Sequence, residues 1–289
     1  MFSVKSDVFE HRSYFNFSEF NSIYKQQFGR ELPTNFLEWF IGLYEGDGTV
    51  YSTTKAISVQ ITSIHRPTLE YIKDMFGFGT IYERNGKFIY WVEQRHLVYL
   101  LLTLFNGNLV FNRRIVQLML VINEFNTRLF GGLPYKHTID FIATGVIPSL
   151  NDAWFSGFVD AEGHFGLPIE TGRKSTSSYL SIAFECGQNG ERWLFELLSS
   201  LFNGGALYPK IFHPLSHNRI IFKGVSRGKH PVTLLFNYFD THGLVTKSEV
   251  YREWRSVHNS LVRQDHLDNT KLEGLLLRAK LLNSKNKHL

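Results

Sequence analysis

The chain has 289 residues, 43% of them hydrophobic, one cysteine and a formal net charge of +5. That length holds one large domain or two ordinary ones, and the apolar content is ample for a core. A single cysteine excludes an internal disulfide framework and a zinc site built on several thiolates, while the positive balance favours an anionic partner, nucleic acid first.

No apolar run approaches the ~18 residues needed to span a bilayer, so no membrane partner is expected. The N-terminal segment Met1-Phe2-Ser3-Val4-Lys5-Ser6-Asp7 has neither the apolar core of a secretory signal nor the arginine bias of a transit peptide. The reading is a protein that works where it is made. Residues 1–35 form an N-terminal extension.

The first informative element follows. Phe40-Ile41-Gly42-Leu43-Tyr44-Glu45-Gly46-Asp47-Gly48 recurs as Phe155-Ser156-Gly157-Phe158-Val159-Asp160-Ala161-Glu162-Gly163. Each copy is an apolar helical stretch with small residues four apart, Gly42/Gly46 and Gly157/Ala161, which share a helix face and let two backbones approach closely. Each ends in an acid and a glycine. The glycine suits a helix end. The acid faces the negative end of the macrodipole, at a cost of a few tenths to about 1 kcal/mol.

After the first copy, Ala56 to Thr62 alternates. Ile57, Val59 and Ile61 lie on one face and Ser58, Gln60 and Thr62 on the other, which predicts a half-exposed strand. A helix over 67–76 begins with proline. Strands at 80–84 and 87–92 flank Gly86, and helices are expected near 94–105 and 112–125. Residues 127–151, rich in glycine and proline, read as a linker.

The second copy opens the same series. Leu180, Ile182, Phe184 and Cys186 alternate with Tyr179, Ser181, Ala183 and Glu185. Cys186 in this strand reads as a buried, inert thiol. A helix is expected over 191–202, strands over 206–212 and 218–223, and helices over 231–240 and 246–258. Met75-Phe76-Gly77-Phe78-Gly79-Thr80-Ile81-Tyr82 also matches Leu201-Phe202-Asn203-Gly204-Gly205-Ala206-Leu207-Tyr208. The spacing between copies grows from 115 (Phe40 to Phe155) to about 126 (Met75 to Leu201). The polar stretch Glu170 to Ser178 is the obvious insertion, and two landmarks in one order point to duplication. A tail with Leu272, Leu275, Leu276, Leu277 and Leu281 is apolar enough to dock as a helix, and residues 280–287 read as a solvated end.

The expected fold is α+β: two pseudo-twofold-related αββαββα modules packed through their motif helices, each with an antiparallel DNA-binding sheet. The divisions are 1–35, 36–126 (first module), 127–151 (linker), 152–258 (second module) and 259–289 (tail). If Gly42/Gly46 pack on Gly157/Ala161, Asp47 and Glu162 end within a few ångströms of each other. Like charges that close call for a cation, and oxygen donors suit a hard one such as Mg²⁺. Glu45 and Asp160, two residues earlier, lie on a different helix face and suit structural hydrogen bonds to backbone N–H groups.

With these residues in hand, the chain resembles the LAGLIDADG homing endonucleases of the single-chain, double-motif type. The copy at 155–163, preceded by Trp154, matches closely. The first departs at Tyr44, Glu45 and Gly46 but retains its acid and final glycine. The resemblance covers roughly residues 36–258. It implies that Asp47 and Glu162 are catalytic and bind metal, with the carbonyls of Gly46 and Ala161 able to join the metal shell. It implies two or three Mg²⁺ ions, with Mn²⁺ as a possible substitute. In Leu244-Val245-Thr246-Lys247, Lys247 matches a lysine that orders the attacking water, and Gln188 matches a supporting glutamine. The first module reads Leu109-Val110-Phe111-Asn112 followed by Arg113, so either Asn112 or Arg113 stands in for the lysine. Ser63 stands where the glutamine would be.

The DNA-facing candidates follow from the alternation and the basic residues. They are Lys55, Ser58, Gln60, Thr62, Tyr82, Arg84 and Lys87 in the first module, and Arg173, Lys174, Tyr179, Ser181, Glu185, Lys210, Arg219, Lys223 and Arg227 in the second. A two-stranded ribbon fits the major groove, and two sheets would span about 20 bp. His213-Pro214-Leu215-Ser216-His217 lacks further ligands and reads as a hairpin loop. The implied function is sequence-specific hydrolysis of both strands of a long, asymmetric double-stranded DNA target by a monomer that is an internal pseudo-dimer. The alternatives are an RNA maturase assisting splicing of a group I intron, with intron RNA as partner, and a catalytically silent DNA-binding protein, which would have lost a motif acid. The family's habit of residing in organellar introns implies a mitochondrion or chloroplast.

Overall fold

A computed structural model describes residues 9–54, 56–130, 133–134, 137–171, 178–209, 217–224 and 231–285. The chain forms two compact units, Met1–Ala161 and Glu162–Leu289. The division falls at the end of the second motif.

The first unit runs β1 (Glu10–Arg12), α1 (Ser18–Phe28), α2 (Thr34–Asp47), β2 (Gly48–Ser52), β3 (Ile57–Ser63), α3 (Arg66–Phe76), β4 (Thr80–Arg84), β5 (Lys87–Val92), α4 (Arg95–Phe105), α5 (Asn112–Thr127), β6 (Leu129–Phe130), β7 (Leu133–Pro134), β8 (Thr144–Val146) and α6 (Trp154–Glu162), whose last residue enters the second unit. Strands β2, β3, β5 and β4 form an antiparallel sheet in that order. Val59, Ile61, Tyr90 and Val92 are buried on one face, against α3 and α4. Helix α2 buries Phe36, Leu37, Trp39 to Tyr44 and Glu45, nearly its whole circumference, as an apolar helix in a core must.

The N-terminal extension is part of this unit. Strand β1 pairs in parallel with β8, and α1 packs on α4. The side chain of the buried Asn108 accepts from the Asn16 N–H and donates to the Asn16 carbonyl, each at 2.8 Å. Arg12 donates to the Gly107 carbonyl at 2.7 Å and to Asn108 Oδ1 at 2.8 Å.

The second unit runs β9 (Gly163–Gly166), β10 (Ile169–Thr171), β11 (Ser178–Leu180), β12 (Ile182–Asn189), α7 (Arg192–Leu201), β13 (Ala206–Tyr208), β14 (His217–Gly224), α8 (Pro231–His242), α9 (Ser248–Val262) and α10 (Asn269–Lys285). Its sheet order, β9-β12-β14-β13, repeats that of the first unit strand for strand. Strands β10 and β11 pair as an added antiparallel ribbon flanking the sequence insertion. Ile182, Phe184 and Cys186 are buried on the core side as the alternation predicts.

Two expectations need correction. The strand over 56–62 is not half-exposed, because Ser58 and Gln60 are only 4% and 8% accessible. Strand β3 is central, so the outer face at these residues is hemmed by their cross-strand neighbours Tyr51, Thr49 and Trp91. The tail docks as a helix through Leu275, Ala279 and Leu282, an i, i+4, i+7 stripe, while Leu277 and Leu281 stay exposed. The helix also continues to Lys285, through most of the expected solvated end.

Candidate active site and DNA interface

The motif helices meet as the small residues require. A Cβ on Gly42 would lie 2.0 Å from the Trp154 carbonyl oxygen, and one on Gly157 only 1.8 Å from that of Trp39. Only glycine permits backbones that close.

The contact is reciprocal in its polar groups as well. The Trp39 indole N–H donates to Asp160 Oδ2 at 2.8 Å, and that of Trp154 to Glu45 Oε2 at 2.7 Å. Glu45 Oε1 also accepts the backbone N–H of Phe111 at 2.7 Å and of Val110 at 3.0 Å. The second acid pair is thus structural, as its helix face implied. Burial pushes the Glu45 carboxyl up to about 7, against the opposing pull of its hydrogen bonds from Phe111, Trp154 and Val110 and of the nearby Arg114. Both tryptophans directly precede the nonapeptide, so the repeat in the sequence extends one residue upstream of the motif.

Asp47 ends α2 and Glu162 ends α6, each partly exposed, with Gly46 and Ala161 just before them. Gln188, buried on β12, donates its amide to Glu162 Oε1 at 3.4 Å. Lys247 sits at the N-cap of α9 and is 5% exposed. Its charge is close enough to act on Cys186 and His164. Burial raises the Cys186 thiol, and the carboxylates of Glu185 and Glu162 raise it further, which keeps it inert. Burial also lowers His164, with Lys247 adding to the effect and Glu185 opposing it.

In the first module, Asn112 opens α5 and Arg113 follows it. Arg113 lies over the Phe111 ring. Arg114, one position further on, donates to the carbonyls of Glu45 at 3.0 Å and Gly48 at 2.7 Å, and more weakly to that of Tyr44 at 3.4 Å. The sequence reading names Asn112 or Arg113 here and passes over Arg114. Helical rotation at the start of α5 selects among neighbours, and that needs the structure.

The oxygen-only character of the motif ends suits a hard divalent ion. Among the described residues, no three His, Cys, Asp or Glu side chains gather as a metal cage. Mg²⁺ does not need one, since it uses one or two carboxylates and keeps waters and substrate oxygens for the rest.

Strand register sorts the DNA-facing candidates. Cross-strand partners point to the same side. Thr62 pairs with Ile89 and Ile89 with Tyr82, while Arg84 pairs with Lys87. Ser58, Gln60, Thr62, Tyr82, Arg84 and Lys87 therefore share the outer face of the first sheet, joined by Thr49, Tyr51 and Trp91. In the second sheet Glu185, Arg219 and Lys223 share the outer face with His164, Tyr208 and His217. Arg219 pairs with Glu185 at 2.9 Å and lies over the Tyr208 ring, and His217 meets Asn189 Oδ1 at 3.0 Å. Ser181 falls between β11 and β12, its N–H bonded to the Pro168 carbonyl. Tyr179 lies on β11 opposite Glu170. Lys55, Arg173, Lys174, Lys210, Arg227 and the loop from His213 to Ser216 lie outside the described residues.

No family model matches the chain. The chain is similar to I-SmaMI, a LAGLIDADG homing endonuclease solved on an uncleaved DNA target with calcium ions. The TM-score is 0.64 at 16% identity, covering 86% of this chain and 98% of that one. The complex of I-SmaMI with cleaved DNA gives the same TM-score. The fold is that of the LAGLIDADG homing endonucleases. The sequence is also 28% identical over 259 residues to a probable intron-encoded endonuclease 4 of Neurospora crassa. That match covers 87% of this chain but only 44% of the relative. An uncharacterized cox1 intron-2 protein of 37.2 kDa from Schizosaccharomyces pombe is 22% identical over 84% of this chain and 71% of its own length. Among the described residues, no helix is long and apolar enough to cross a membrane.

Proposed function

We propose that the chain is a sequence-specific DNA endonuclease that uses divalent metal to hydrolyse one phosphodiester on each strand of a long double-stranded target. The observation that carries this reading is the pair of acid-glycine endings, Asp47-Gly48 and Glu162-Gly163, on glycine-packed helices in a fold shared with solved DNA-cleaving relatives. A catalytically silent protein has no need to keep an acid against the helix dipole at both ends.

In this reading Asp47 and Glu162 bind the ions, with the Gly46 and Ala161 carbonyls available to complete the shell. Mg²⁺, once bound, supplies a water of lowered pKa and neutralises charge on the phosphate. Gln188 fixes the rotamer of Glu162 by its amide hydrogen bond. Lys247, cationic at the start of α9, orients water beside the phosphate of its half-site. The outer faces of the two sheets read the major groove, where Arg219 and Lys223 meet phosphate or guanine edges. The protein acts as a monomer, with one module for each strand. The cox1 intron relative supports an organellar, intron-encoded origin.

Selection of cleaved sites from a random DNA library with Mg²⁺ tests the proposal. Recovery of one long site, cut on both strands by the wild type and left intact by Glu162→Gln, is expected. A wild type that cuts no site, or a Glu162→Gln variant that cuts at the wild-type rate, overturns it.

A further inference from the structure

The two modules are unequal in the groups that support their acids. Helix α2 ends with carbonyls that have no partner further along the helix. The guanidinium of Arg114 donates to three carbonyls around that end: Tyr44, which also accepts the Gly48 N–H, at 3.4 Å, Glu45 at 3.0 Å by Nη2 and 3.3 Å by Nε, and Gly48, the first residue of β2, at 2.7 Å. Its remaining edge donates to Gln117 Oε1 at 3.1 Å, and Gln117 in turn donates to the Val50 carbonyl at 3.4 Å. The guanidinium carbon Cζ lies over the Tyr44 ring, 5.3 Å from its centroid. One side chain thus ties the last turn of α2 to the first residues of β2, on both sides of Gly46-Asp47. A planar fork with five donors makes such a clamp, and an ammonium does not.

We infer that Arg114 is a positioning residue for catalysis by the first module. It holds the turn that presents Asp47 and offsets the negative helix end on which that acid stands. The inference rests on the endonuclease reading. Arg114 differs from Lys247 in kind. Its donors are already committed to carbonyls, so it acts through the backbone that carries Asp47, and its effect is confined to the module that contains it.

The test is strand-resolved cleavage of a supercoiled plasmid bearing the selected site, with Arg114→Lys and Arg114→Ala beside the wild type. The expected result is that one strand is cut at least tenfold more slowly while the other stays within twofold, so that nicked circles accumulate. Affinity for the same site in calcium should stay within threefold. Hydrogen exchange at amides 46–50 should quicken at least tenfold in Arg114→Lys, a readout that needs no activity. Arg114→Lys keeps the charge and is the variant that decides if Arg114→Ala fails to fold. Equal slowing of both strands, or no slowing of either, overturns the inference and leaves the nuclease reading intact. A wild type that cuts neither strand of any site overturns both.

Discussion

Replacing Gly157 by alanine is the sharpest test of the helix pair. The new Cβ would sit 1.8 Å from the Trp39 carbonyl oxygen, whereas ordinary contact begins near 3.4 Å. The difference, 3.4 − 1.8, is about 1.6 Å, which the two backbones must find by moving apart. A shift of that size also stretches the indole bonds to Asp160 and Glu45, now 2.8 and 2.7 Å, beyond hydrogen-bond reach. Each joins a buried N–H to a carboxylate and contributes ~1.5–3 kcal/mol. Losing both gives ~3–6 kcal/mol, a large share of the ~5–15 kcal/mol that holds an ordinary protein folded. Urea unfolding followed by tryptophan fluorescence reads the change. Gly274 in α10 is the control: a Cβ there meets nothing within 4 Å. Gly274→Ala should therefore stabilise by ~0.5–1 kcal/mol. A Gly157→Ala loss below ~1 kcal/mol would refute the close-packing argument.

Further tests address single groups. Trp154→Phe leaves the Glu45 carboxyl short of a donor and should lower stability by ~1–3 kcal/mol in the same assay, with Trp39→Phe behaving alike at Asp160. Glu45, raised to about 7, binds its proton more tightly folded than unfolded, so its contribution is complete below about pH 4.5 and is lost as pH climbs through 7. A shift of that size corresponds to ~3 kcal/mol, and Glu38, raised to about 7 chiefly by burial, adds in the same direction. Unfolding curves from pH 4.5 to 8 should show this decline, and a rise over that range would contradict it. Asp47→Asn and Glu162→Gln should each cut DNA at least ~100-fold more slowly with stability changed by under ~1 kcal/mol. A chelator should abolish cutting by the wild type while leaving a gel-shift complex.

The duplication was legible because two periodicities and a nonapeptide repeat in order. It is the helix ends and strand limits, for example 80–84 and 87–92, that local chemistry marks best, with Gly86 turning the chain between them. Ser58 and Gln60 misled because alternation reports which face a residue is on, and says nothing of how much neighbouring strands cover it. Arg114 was missed for a related reason. Three adjacent residues, Asn112, Arg113 and Arg114, differ by about 100° of helical rotation each, and only the position of α2 decides which one reaches it. Residues 1–35 read as an extension because the partners of Arg12 and Asn16 lie more than 90 residues away in sequence.

The crossed indole–carboxylate pair has a consequence for recombining such proteins. Helix α6 clusters with the first unit although it opens the second repeat. A hybrid joined within residues 127–151 therefore brings in a foreign partner for Trp39 and Glu45. Compatibility of two halves is written in four side chains, and a donor half with an aliphatic residue in place of Trp154 or Asp160 will be rejected unless its mate changes with it. Exchanging the halves at 161 instead keeps this lock with its own key.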